Sequence, residues 1–221
     1  MTIPLLLTAL LIPSAQAHVK WFSNYDFIQP PLALSEIATP TFWGLLLLSL
    51  VSLPLLVWLD SAAGGSRPYR RMNGFLDRYK DEGPLIIRVT MGAVLLMSWQ
   101  GNAMVAPEIA APGDLWVWAQ LVMALLLLFR ETAPLTGLGM IVLYGVALAG
   151  QGVFHMLDYV VYPAVGLYLF LTHLKDVRWR NLDLPVLYSG LGFSLCWVAF
   201  EKLFYPYWGR PPSSNSPSAT C

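Results

Sequence analysis

Six long apolar stretches, separated by short loops that hold most of the charge, constrain this chain more than any other feature. They run Thr41–Leu59, Leu85–Val105, Leu115–Phe129, Leu135–Phe154, Val160–Leu174 and Leu184–Phe204. About 20 helical residues cross the hydrocarbon core of a bilayer, and the backbone there must satisfy its own hydrogen bonds. The third and fifth stretches are short, so they must borrow flanking residues or sit where the bilayer thins. If one of them is re-entrant, the count falls to five. Pro54 and Pro163 are kinks that a packed bundle tolerates. With 57% hydrophobic and only 12% charged residues, the chain lacks the charge to cover a soluble domain. The expected fold is therefore all-α, a polytopic transmembrane bundle of about six spans over residues 41–208.

The flanks read differently. Residues 1–17 hold an apolar core, Ile3 to Ile12, then Pro13, Ser14 and Ala15-Gln16-Ala17, a small-residue cleavage pattern. That predicts a signal peptide, or an uncleaved anchor because no Lys or Arg precedes the core. Residues 18–40, with Trp21, Phe22, Tyr25, Phe27 and Pro30-Pro31, read as an exported segment lying at the membrane surface. The tail 209–221 is rich in Pro and Ser and is expected to be disordered.

Charge distribution sets the orientation. Arg67, Arg70, Arg71, Arg78, Lys80, Arg130, Lys175, Arg178 and Arg180 fall on one side of a six-span arrangement, against Lys20, Lys202 and Arg210 on the other. The rich side is predicted to be cytoplasmic, which leaves both ends of the mature chain outside. In a bacterium this is a multi-pass inner-membrane protein with periplasmic termini. Acidic and basic residues balance, so the expected partner is the lipid bilayer and not nucleic acid. Gly145 with Ala149, Gly190 with Ser194 and Gly192 with Cys196 recur at helix spacing, where they let neighbouring backbones approach. Cys196 and Cys221 form neither a disulfide framework nor a CxxC pair.

Ionisable groups in or near a membrane cost free energy and are the natural place to look for chemistry. The predicted outer side gathers His18, Gln100, Asn102, Glu108, Asp114, His155, Asp158, Glu201 and Lys202. His155 and Asp158, in FHMLDY, share a face at i and i+3 if the fourth helix continues. They read either as a polar pocket or as a water-exposed helix end. Glu201 lies on the apolar side of Lys202 and is placed to point into the bundle, while Lys202 snorkels. Gln100 and Asn102 either bond to neighbouring helices or hold the carbonyl of a quinone-like ligand. Cleavage after Ala17 would make His18 the first residue, offering copper an amine and an imidazole, with His155 as a second imidazole. Otherwise cleavage merely happens to leave a histidine first. His155 and His173 lie about 27 Å apart along a helix, too far to share one haem iron.

The stretch PLIIRVTMGAVLLMSWQGNAMVAP (Pro84–Pro107) resembles the opening of DoxX-type membrane proteins, through Arg88, Gly92, Gln100-Gly101 and Pro107. It departs at Gln100, where many relatives carry a histidine. AHVKWF, FHMLDY and FEKLFYPYW resemble blocks of a poorly characterised bacterial branch of the same type. The resemblance covers roughly Leu85–Trp208. It implies a four-helix unit from Leu85 to Leu174, with the first and sixth spans as additions. It also implies a link to quinone-dependent or redox-stress complexes, and hence membrane or periplasmic redox partner proteins. The leading expectation is a subunit or accessory of a redox process at the periplasmic face, with His155, Asp158 and Glu201 as its candidate catalytic residues. A copper-handling protein using His18 and a non-catalytic assembly component are the alternatives.

Overall fold

The structure, a computed structural model, describes residues 31–205. The six apolar stretches become six helices: α1 (Pro40–Ala63), α2 (Gly83–Gln100), α3 (Asp114–Leu126), α4 (Ala133–Gln151), α5 (Val161–Leu171) and α6 (Asp183–Phe204). Among the described residues, four helical segments are long and apolar enough to cross a membrane. The bent pair Val153–Tyr159 and Val161–Leu171, with 55° between its halves, makes a fifth if it is one span. Helix α3, at 13 residues, falls short of a span by itself.

Local sequence explains the starts. Pro40, Pro84 and Pro134 occupy the first turns of α1, α2 and α4, where no intrahelical N–H is needed. Thr39 caps α1 by accepting from the Phe42 N–H at 3.2 Å.

Two predicted spans end earlier than hydropathy suggests. Helix α2 stops at Gln100, and the apolar residues after it form an antiparallel hairpin, β1 (Ala103–Met104) and β2 (Ala106–Ala110). Asn102 and Val105 take positive φ, 50° and 68°. The first is a conformation asparagine accepts, the second one that a β-branched residue rarely adopts. Helix α4 stops at Gln151, because Gly152 turns the chain with φ 82°. FHMLDY therefore does not end the fourth helix. It forms a separate one-turn helix (Val153–Met156) and a 3-10 turn (Leu157–Tyr159) that lead into α5.

The buried core lies among α2, α3, α4, α5 and the hairpin, with Leu95, Met104, Ile109, Met140, Leu143, Met156 and Leu169 almost wholly enclosed. Where α4 crosses α5, a Cβ on Gly137 would stand 2.3 Å from the Gly166 carbonyl oxygen, and one on Gly166 2.6 Å from the Gly137 oxygen. Helix α6 rests on α5 through Gly190, whose Cβ would fall 2.2 Å from that of Ala164. Ser194 accepts from the Val161 N–H at 2.9 Å. The small residues Gly190 and Ser194 thus meet a neighbour as their spacing predicts. Gly145 and Gly192 do not, since nothing lies within 4 Å of a Cβ on either. Across the described residues the outer faces are apolar, with Leu, Val, Trp and Phe side chains exposed along every long helix. A surface of that kind suits a bilayer, not water.

Arg88 ties α2 to the end of α3. Its Nε and Nη2 donate to the Leu127 carbonyl at 3.0 and 2.6 Å, and Nη2 also to Leu128 at 2.8 Å. These carbonyls follow the last turn of a helix and have no helical partner of their own. A lysine ammonium lacks the planar fork that reaches both. Arg88→Lys is therefore expected to lower stability by about 1–2 kcal/mol, read as an earlier midpoint when protein in mild detergent is titrated with SDS.

Candidate functional site

At the end of the bundle that carries the hairpin, α3, α4, α6 and the arm Val153–Tyr159 converge on it. The hairpin is held down by Gln120 of α3, fully buried, whose Nε2 donates to the Ala103 carbonyl at 2.8 Å. Ile109 is sunk beside it at 1% exposure. This anchoring presents Glu108 from β2 toward the 3-10 turn, where the Tyr159 hydroxyl donates to Glu108 Oε1. The arm carrying Tyr159 is fixed in turn by Tyr144 of α4, whose hydroxyl donates to the Met156 carbonyl at 2.8 Å. The His155 ring lies edge-on to the Tyr159 ring, 6.1 Å between centroids.

The same arm leans on α6. Phe154 meets Trp197 and Tyr205 edge-on at 5.2 and 5.8 Å. Trp197 lies nearly parallel to Phe193 (4° between planes, 6.4 Å) and stacks on Phe200 at 5.6 Å. An aromatic file thus runs along the end of α6. The chain entering α1 reaches this end too, as the Leu32 N–H bonds to the Phe204 carbonyl at 2.9 Å. Asp158 on the turn and Glu201 on α6 are both buried, at 8% and 4% exposure.

The predicted residues sort as follows. His155, Asp158 and Glu201 all fall at this one end, on an arm and a helix that pack together. Glu201 does turn inward while Lys202 is exposed. Gln100 and Asn102 are exposed at the base of the hairpin, where Asn102 supplies the positive φ and accepts from the Ala111 N–H at 3.0 Å. His18 lies outside the described residues. Among the described residues, no group of three or more His, Cys, Asp or Glu side chains is placed to hold a metal ion.

Sequence reasoning gave no role to Tyr159 or Tyr144, and Glu108 stood only as one of many outer polar groups. The one available signal was adjacency, since Tyr159 directly follows Asp158. Chemically, a phenol donating to a carboxylate, with an imidazole ring edge-on to the phenol, gathers three groups of the kind that pass or accept protons. Carboxylates buried near membrane depth point to function by default. The chain matches no family model, no curated protein and no solved structure.

Proposed function

We propose that this is a DoxX-like multi-pass protein of the bacterial inner membrane, acting as a subunit or accessory of a redox process at the periplasmic face. In this reading α3 and the bent pair complete six spans, and the hairpin end faces the periplasm. That end holds the ring of a quinone. The observation that carries the reading is the meeting of buried Asp158 and Glu201 with the His155–Tyr159–Glu108 group and an aromatic file. Aromatic faces stack on a planar ring, and the polar groups offer hydrogen bonds to its oxygens. Gln100 and Asn102, exposed at the base of the hairpin, are the further candidates to hydrogen-bond the ligand. The copper alternative needs His18, which lies outside the described residues, with His155 as its second imidazole.

Binding of ubiquinone and menaquinone analogues to the purified full chain in nanodiscs tests the proposal. His155→Ala is expected to weaken binding about tenfold, or 1.4 kcal/mol. No binding by the unaltered protein, and no change on substitution, would sink the quinone version.

A second reading, a non-catalytic assembly component, has one specific support. Helix α1 is apolar along its length, and none of its residues is buried within the chain. A helix so placed is available to lipid or to a partner helix.

A further inference from the structure

The opposite end of the bundle carries a second site that the redox reading does not use. A cavity of about 420 Å³ opens there, lined by Glu82, Arg88, Arg130, Thr172, His173 and Asp183. It draws on the start of α2, the α3–α4 turn, the end of α5 and the start of α6, where the arginine-rich loops meet the apolar helices.

We infer that this cavity holds a head group bearing both a phosphate and a primary ammonium, with phosphatidylethanolamine as its source. The arginines supply the phosphate half. Arg88 is held rigid by the Leu127 and Leu128 carbonyls through Nε and Nη2, which leaves Nη1 and the positive charge for the anion, while the Arg130 fork can match phosphate oxygens. His173 and the acids supply the ammonium half. His173 Nδ1 lies 3.0 Å from the Leu169 carbonyl oxygen and 3.1 Å from Thr172 Oγ1. The Thr172 hydroxyl donates to that same carbonyl at 3.1 Å, so both neighbours of Nδ1 are acceptors and the hydrogen is assigned to Nδ1. With the hydrogen on Nδ1, Nε2 is left as the acceptor, and it is buried with no partner among the described residues. Glu82 and Asp183 add carboxylates. A purely anionic head group would bring its charge against those two acids, and a purely cationic one against the two arginines. A quaternary ammonium has no N–H for His173 to accept.

The lipid is favoured over a free phosphate ester by what adjoins the cavity. An apolar groove of about 600 Å³ runs between α5 and α6, lined by Ile141, Pro163, Leu167, Val186 and Phe193 among others. Asp183 in the cavity shares one face of α6 with Val186 and Gly190 in the groove, by their i, i+3 and i+7 spacing. The groove is therefore the seat of an acyl chain on the same molecule.

Native mass spectrometry of the delipidated full chain, offered palmitoyl-oleoyl phosphatidylethanolamine, phosphatidylcholine or phosphatidylglycerol, tests this. Retention of the ethanolamine lipid is expected to exceed the other two about tenfold. Arg130→Gln with Glu82→Gln is expected to abolish that preference while leaving the melting temperature unchanged. Equal retention of the three lipids, or an undiminished preference in the double variant, overturns the inference. Displacement of the lipid by soluble phosphoethanolamine at equal concentration would identify a free compound as the source and overturn the lipid assignment.

Discussion

Gly137→Ala is expected to be among the most damaging single-methyl changes in the chain. The atom in its way is the backbone oxygen of Gly166, 2.3 Å from the new Cβ, with the Phe170 nitrogen at 3.2 Å. No rotamer can relieve a contact with backbone, so α4 and α5 must separate. In a membrane, helices gain little from excluding solvent, and close van der Waals contact is a main source of their association. Overpacking of this kind costs about 1–3 kcal/mol, more than the ~1 kcal/mol that alanine gains over glycine in a helix. Gly137→Leu should be worse still. Gly145→Ala, eight residues along the same helix with open space around it, is the control and should be neutral or stabilising. SDS-titration midpoints in mild detergent check the pair. Equal midpoints for the two alanine variants would mean that α4 and α5 do not cross at these glycines.

That contrast also marks how far the sequence can be read. Hydropathy finds six apolar stretches because burying helices in lipid requires them, and α1 to α6 occupy all six. It cannot tell a glycine that touches a neighbour from one that does not, because the spacing rule describes one helix face and not the rotation of its partner. Gly190 and Ser194 meet α5, while Gly145 and Gly192, equally well spaced, meet nothing within 4 Å. Hydropathy also cannot separate an apolar helix from an apolar hairpin. Ala103 to Val105 reads as the tail of a span, and only Gly101-Asn102 and Pro107 hint that the chain has turned. Gly152 is a similar hint, masked because the residues beyond it stay apolar.

The candidate site was legible in its ends and not in its middle. Charge alternation puts His155, Asp158 and Glu201 on one side, and they do fall at one end of the bundle. The pairing of Tyr159 with Glu108, fifty-one residues apart, depends on where the hairpin folds back, which no local pattern encodes. The shape of the arm depends likewise on a single left-handed glycine.

Tyr159→Phe and Glu108→Gln are expected to be strongly coupled. The phenol donates to a carboxylate oxygen, and hydrogen bonds to a charged group contribute about 1.5–3 kcal/mol. Interhelical bonds within membranes average nearer 0.6, so a site at the bilayer boundary should fall between, at about 1–2 kcal/mol. Tyr159→Phe keeps the ring and its edge contact with His155, so any loss reports on the hydroxyl. Unfolding midpoints for the two single variants and the double give the coupling directly. The same four proteins, measured for quinone affinity, separate structure from function. If the hydroxyl only fixes the hairpin, Glu108→Gln should retain affinity once the fold is restored by lowering the temperature. If the pair holds the ligand, affinity should drop about tenfold in either single variant, with little further loss in the double. Additive effects on stability would show that the Tyr159–Glu108 bond is not formed in the membrane.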